Sequence, residues 1–229
     1  MSSATTLYTH NEFIRPIVAE CLLKYFKSDV KIVEITEDVN RYLERFPVRT
    51  VPGLSFNDGT VLFEQIAVTK YIIRSYGNEK ETKQLLGLDS DFKHQGDIDM
   101  FCSFCTSDFL NQLVDYCLHD LKGIPISEGA ATAAGEKLEV MYPIFEQRLQ
   151  KHKYLTGDVI TLADLIAASS FSLGFCSMLG AEWSRKHTLI TDWFKNVTQS
   201  EYMLTRFQNF KYSTEPHRIT EHLLPWDEN

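Results

Sequence analysis

Residues 50–68 read TVPGLSFNDGTVLFEQIAV, and this stretch decides the fold. Two apolar runs, Val51–Phe56 and Thr60–Phe63, flank Asn57, Asp58 and Gly59, residues that supply the positive φ a tight turn needs, so the stretch predicts a β-hairpin. From Glu64 the pattern changes: Ile66, Ala67, Thr69, Lys70, Ile73 and Tyr76 suit a helix packed on a sheet and ended by Gly77. Working back towards the N-terminus, Thr5–Thr9 reads as a short strand. Ile14, Ile17, Val18, Cys21, Leu22 and Tyr25 recur at helical spacing, and Val30–Ile35 is β-branched again. A strand, a helix and a second strand so close together predict a right-handed βαβ unit with parallel strands. With a short helix over 39–46, the order becomes β-α-β-α-β-β-α.

Residues 78–91 are polar and hold Gly87, and they read as a linker. After them the strand signals stop. Amphipathic segments at about 92–118, 135–150, 162–178 and 188–197 predict a helical bundle, most clearly over Lys137–Phe145. The sequence after Tyr212 is weakly patterned and reads as a tail, 213–229, that docks through Leu223, Leu224 and Trp226. A first unit over 1–79 and a second over 92–212 complete the division.

The chain has 229 residues, of which 44% are hydrophobic, enough for a packed core in one or two units. Its formal charge of −8 argues against nonspecific nucleic-acid binding and against an anionic membrane surface, because the summed field repels phosphates. No apolar run is long enough to span a bilayer and the first residues lack an export pattern, so the expected address is the cytosol, or the nucleus. The five cysteines, Cys21, Cys102, Cys105, Cys117 and Cys176, are odd in number and point to reduced packing residues. Cys102 and Cys105 spell C-x-x-C inside an apolar helical run, with no second pair to complete a zinc site, so no metal is expected.

Thr50-Val51-Pro52-Gly53-Leu54, followed by Leu62 to Val68 and later by Thr161-Leu162-Ala163-Asp164, resembles the signature of the glutathione transferase superfamily. The fold that this implies is a thioredoxin-like N-terminal domain, α/β in class, followed by an all-helical C-terminal domain. The resemblance also implies a cis Val51–Pro52 bond, with Val51 offering its backbone to the cysteinyl part of glutathione like an added strand. Glu64 and Gln65 would meet the γ-glutamyl carboxylate at a helix N-terminus, where unpaired amides favour an anion. Active members commonly carry serine where this chain has Gln65, a longer donor. Arg15 or Arg49 would pair with the ligand's carboxylates. A second substrate would lie against Phe101, Phe104, Cys105 and Asp108, although helical spacing alone equally makes these aromatics core. Thr161 and Asp164 fit a capping box and read as folding residues.

Transferase chemistry needs a donor that lowers the thiol pKa of glutathione. The stretch after the first strand, Leu7 to Arg15, lacks the serine, or the tyrosine in register, that active classes use. Tyr8, His10 and Asn11 are the candidates it leaves, with Tyr8 better placed to pack in the sheet. No cysteine stands there for thiol exchange. Further matches over residues 5–212, among them Phe46-Pro47, Gln84-Leu85-Leu86-Gly87 and Glu182-Trp183, resemble the transferase-like domains of the elongation factor 1 gamma family. That resemblance implies an interaction module of translation elongation that binds the nucleotide-exchange subunit of the elongation factor 1 complex and forms a homodimer. Two alternatives stay open: a glutathione transferase with a nonstandard activator, and a paralogue that binds glutathione or another ligand without turnover. No cofactor is expected, glutathione entering only as ligand or substrate.

Overall fold

A computed structural model describes residues 5–118 and 126–220, so Leu223, Leu224 and Trp226 lie outside the described residues. In the N-terminal part, β1 (Thr6–Thr9), α1 (Ile17–Tyr25), β2 (Lys31–Glu34), α2 (Val39–Arg45), β3 (Gly53–Ser55), β4 (Val61–Phe63) and α3 (Gln65–Tyr76) follow in the expected order. The sheet runs β2-β1-β3-β4. Leu7 pairs with Ile32 in parallel and with Leu54 antiparallel, and Leu54 pairs with Leu62 across the hairpin. Side chains alternate across a sheet. Leu7 and Leu54 accordingly join the core of α1 and α3, while Tyr8 and Val33 face the other way, onto Tyr42, Phe46 and Val51.

The stretch read as a linker is largely helical: α4 spans Glu79–Leu86. Asn78 and Glu81 form a reciprocal capping box and Gly87 ends the helix at φ 64°, a left-handed conformation that glycine adopts without a Cβ penalty. Polar composition hid this element, because only Leu85 and Leu86 are buried. Then come α5 (Phe92–Phe104), a π-helical turn (Cys105–Phe109), α6 (Leu110–Cys117), α7 (Glu128–Leu149), α8 (Leu162–Phe175), α9 (Ala181–Lys186), α10 (Thr188–Thr198) and α11 (Leu204–Phe207). Every residue of α8 is buried, so it forms the axis around which the other helices pack.

At the start of α8, Asp164 is fully buried and takes four hydrogen bonds. Thr161 donates through its N–H (2.9 Å) and its hydroxyl (3.0 Å), Leu155 N–H donates at 2.9 Å and Trp193 Nε1–H at 2.9 Å. Burial pushes this carboxyl above its usual value while the donors pull it down. The five cysteines are free and buried. Burial raises the thiols of Cys21, Cys102 and Cys117 to about 12, so they stay protonated at neutral pH and do not serve as nucleophiles. Among the described residues no group of His, Cys, Asp and Glu could hold a metal ion, and no helix is long and apolar enough to cross a membrane.

The tail from Ser213 to Ile219 is held by its backbone: Ser213 N–H donates to Phe175 O (2.8 Å), Ala181 N–H to Thr214 O (2.9 Å) and Ile219 N–H to Cys117 O (2.8 Å). Ile219 pairs there with Leu118.

Candidate functional site

A cleft of about 520 Å³ opens between the sheet half and the helical half. On one side the chain before β3 supplies Arg49, Thr50 and Val51, and the β4–α3 junction supplies Glu64 and Gln65. Phe13, Ile14 and Arg15 come from the loop after β1, and Leu110, Val114 and Leu118 face them from α6 and its end. The Val51–Pro52 bond is cis. Two of the cleft residues, Arg49 (φ 57°) and Glu64 (φ 74°), hold left-handed backbone conformations without being glycine. Such conformations cost on the order of 1 kcal/mol or more and persist where the surroundings over-determine them.

The cleft carries charges of both signs, with Glu64 among its lining residues beside Arg15 and Arg49. Arg15, Arg49 and the N-terminus of α3 provide positive potential. Gln65 is 1% exposed, yet neither its Oε1 nor its Nε2 has a protein partner, and the buried Thr50 Oγ1 is likewise unpartnered. Two larger depressions, of about 620 and 720 Å³, flank α4, and none of the unpartnered buried groups lines either of them. Arg15 reaches across to the helical half, donating from Nη2 to Asn111 Oδ1 (3.1 Å) and to Thr106 O (3.4 Å).

The catalytic candidates point elsewhere. Tyr8 is buried between Tyr42 and Phe46, with ring centroids 5.8 and 5.6 Å away. His10 Nδ1 lies 3.2 Å from Glu34 Oε1, and Asn11 N–H donates to Glu34 Oε2 at 2.8 Å. Neither His10 nor Asn11 lines the cleft. Phe101 and Cys105 are fully buried, Phe104 packs against Phe109 and Phe145, and Asp108 accepts from Ser107 at the surface, so the expected second-substrate wall is core and rim instead. The π-helical turn at 105–109 shifts the helical phase, and the wall passes to Leu110, Val114 and Leu118. Their spacing of four was the sequence signal for that face.

The loop that carries Phe13, Ile14 and Arg15 is clasped by the far end of the chain. Arg206 in α11 donates from Nη2 to Asn11 O at 3.0 Å. It also stands near the buried Glu20, which accepts from the Thr9 hydroxyl. Burial raises the Glu20 carboxyl, and Thr9 and Arg206 pull it back. A carboxyl raised in the folded state stabilises the fold below its unfolded value and loses that contribution as pH climbs through the folded value. Arg206→Ala raises Glu20 further, so its deficit relative to wild type, roughly 1 to 2 kcal/mol, should be larger at about pH 8 than at about pH 5 in thermal melts. Amide exchange over residues 10–15 should quicken with it. An identical deficit at both pH values would contradict this coupling.

Comparison with known proteins places the arrangement. Residues 3–74 match the family described as glutathione S-transferase, N-terminal domain, and residues 101–201 match glutathione S-transferase, C-terminal domain. A putative elongation factor 1 gamma homolog of Saccharomyces cerevisiae is 35% identical over 211 residues, covering 90% of this chain and 94% of the relative. Elongation factor 1-gamma 1 of the same yeast is 33% identical over 214 residues, 93% of this chain but 51% of the relative, so the chain spans about half the length of that protein. The crystal structure of the GST-like domain of elongation factor 1-gamma from Saccharomyces cerevisiae superposes with a TM-score of 0.83 at 33% identity, covering 93% of this chain and 97% of that one. The chain belongs to the glutathione S-transferase family, on its elongation factor 1-gamma-like branch.

Proposed function

We propose that this chain is a protein-interaction module of translation elongation that binds the nucleotide-exchange subunit of the elongation factor 1 complex, acts as a homodimer in the cytoplasm, and keeps a cleft for a small acidic peptide of the glutathione kind. Kinship with the elongation factor 1-gamma proteins supports the first part. The observation that favours binding over catalysis is that none of Tyr8, His10 and Asn11 lines the cleft, with Tyr8 packed on Tyr42 and Phe46 and His10 beside Glu34. Attack by a glutathione thiolate needs a donor beside the sulfur, and none of the three is presented there. Val51, Pro52, Glu64, Gln65 and Arg15 remain as the ligand-facing set, with Arg49 beside them.

A second reading, glutathione transferase, has one observation in its favour: Thr50 brings an unpartnered hydroxyl to the cleft. Calorimetry with millimolar glutathione, turnover of a generic aryl halide, and titration with the nucleotide-exchange subunit separate the two, using wild type and Glu64→Ala. The expected result is binding of the subunit by both proteins, glutathione heat in wild type that falls at least about tenfold in affinity in the variant, and no turnover. Turnover that disappears in Glu64→Ala would establish the transferase instead.

A further inference from the structure

Both walls of the cleft are tied by one short stretch of chain. Arg206 Nη2 donates to Asn11 O at 3.0 Å, in the loop that goes on to Phe13, Ile14 and Arg15. On the other side Ile219 N–H donates to Cys117 O at 2.8 Å, one residue before Leu118 of the cleft wall. Cys117 ends α6, so its carbonyl has no partner inside the helix, and Ile219 supplies one. Between these anchors the backbone crosses the end of α8, where Ser213 N–H donates to Phe175 O at 2.8 Å and His217 N–H to Ser177 O at 3.2 Å. Gly180 leaves room for it: a Cβ there would stand 2.9 Å from Thr214 O and 3.0 Å from Pro216. The grip is uneven. Tyr212 packs on Phe175 and Phe194 at one end, and at the other Ile219 is 5% exposed while Arg218 pairs with Glu128 at 2.8 Å. The side chains of Thr214, Glu215, Pro216 and His217 are exposed, so the middle meets the body chiefly through its backbone. A segment with so little buried side chain opens at a small fraction of the global unfolding free energy.

We propose that residues 213–219 form a releasable strap that sets where the α6 wall of the cleft stands. Docked, the strap completes the last turn of α6 and holds Leu118 in the wall. Released, it strands Cys117 O, the last turn of α6 frays and Leu118 loses its place, while α8, buried along its whole length, stays intact. Such coupling is reciprocal: a ligand in the cleft tightens the strap, and a partner that takes hold of the strap in its released form weakens the cleft by the same factor.

The effect on a ligand rests on the reading of the cleft as a peptide site, and the test separates the two. Gly180→Ala pushes Thr214 and Pro216 off their seat without altering the strap or the cleft lining, since Gly180 has φ −70°, a value alanine adopts freely. Arg218→Ala loosens the far anchor by a different route. Amide hydrogen exchange on the intact chain, without ligand, is expected to quicken about fivefold or more over residues 112–118 and 213–219 in both variants, with residues 162–175 unchanged. Calorimetry with glutathione should show affinity falling about fivefold in both variants, and saturating glutathione should slow exchange over 213–219 in wild type. Wild-type exchange at 112–118 while the strap quickens, quickening that spreads through 162–175, or full glutathione affinity in both variants overturns the inference and leaves the peptide site standing. Absence of glutathione heat in wild type overturns the peptide reading, and the exchange comparison alone then decides the strap.

Discussion

Asp164→Ala is expected to destabilise the protein by about 4 kcal/mol, several times the cost of losing an ordinary exposed helix cap. The difference lies in what is left behind. Removing the carboxylate strands the N–H groups of Leu155 and Thr161 and the indole N–H of Trp193, all in fully or nearly fully buried residues. Each stranded donor carries its own desolvation penalty, roughly 1 to 3 kcal/mol. Asparagine should rescue little, because its NH₂ would turn donors towards donors at one of the two carboxylate positions. Thr161→Ala removes one donor and keeps the acceptor, so about 1 kcal/mol is expected there. Urea unfolding at a fixed pH ranks the three variants, and a loss below about 2 kcal/mol for Asp164→Ala would show that water takes the carboxylate's place.

Phe171→Ala should cost a similar amount, about 3 to 5 kcal/mol, through a different cause. Its ring is fully buried in α8, with centroids of Phe109 at 4.6 Å, Phe145 at 4.9 Å and Trp193 at 5.7 Å. These neighbours come from the π-helical turn, α7 and α10, so no single segment can slide in to fill the gap. At this chain length such a loss lowers the melting temperature by roughly 10 °C. Phe92→Ala is the control: that ring is 90% exposed and its removal should change stability by less than about 0.5 kcal/mol. Equal shifts for the two variants would mean that Phe171 is not at the centre of the helical core.

The sheet half was legible because its signals are local. β-branched runs, the Asn57-Asp58-Gly59 turn and the helix starting at Glu64 each announce themselves within a few residues, and the parallel pairing of β1 with β2 follows from the crossover rule. α4 was missed although its cap pair, Asn78 and Glu81, stands in the sequence at the spacing a capping box requires. The eye for apolar periodicity passes over a helix with only two buried leucines. The cleft was half legible. Of the five ligand-facing residues named from motif resemblance, Val51, Glu64, Gln65 and Arg15 line it and Pro52 does not. Its other wall depends on how much a π-helical turn rotates α6 relative to α5, a tertiary quantity that no motif encodes. Phe101 and Cys105, named from the resemblance, lie in the core, as their helical spacing equally allowed. Nor could sequence show that Gln65 would be buried without partners, since that depends on what the opposite wall fails to offer.

The pairing of Ile219 with Leu118 fixes where any polypeptide continuing past residue 220 sets out: beside a residue that forms the cleft wall. A segment tethered at such a point meets the cleft at a local concentration in the millimolar range, far above that of a free competitor. A partner fused beyond that point would therefore perturb ligand titrations through simple crowding of the entrance.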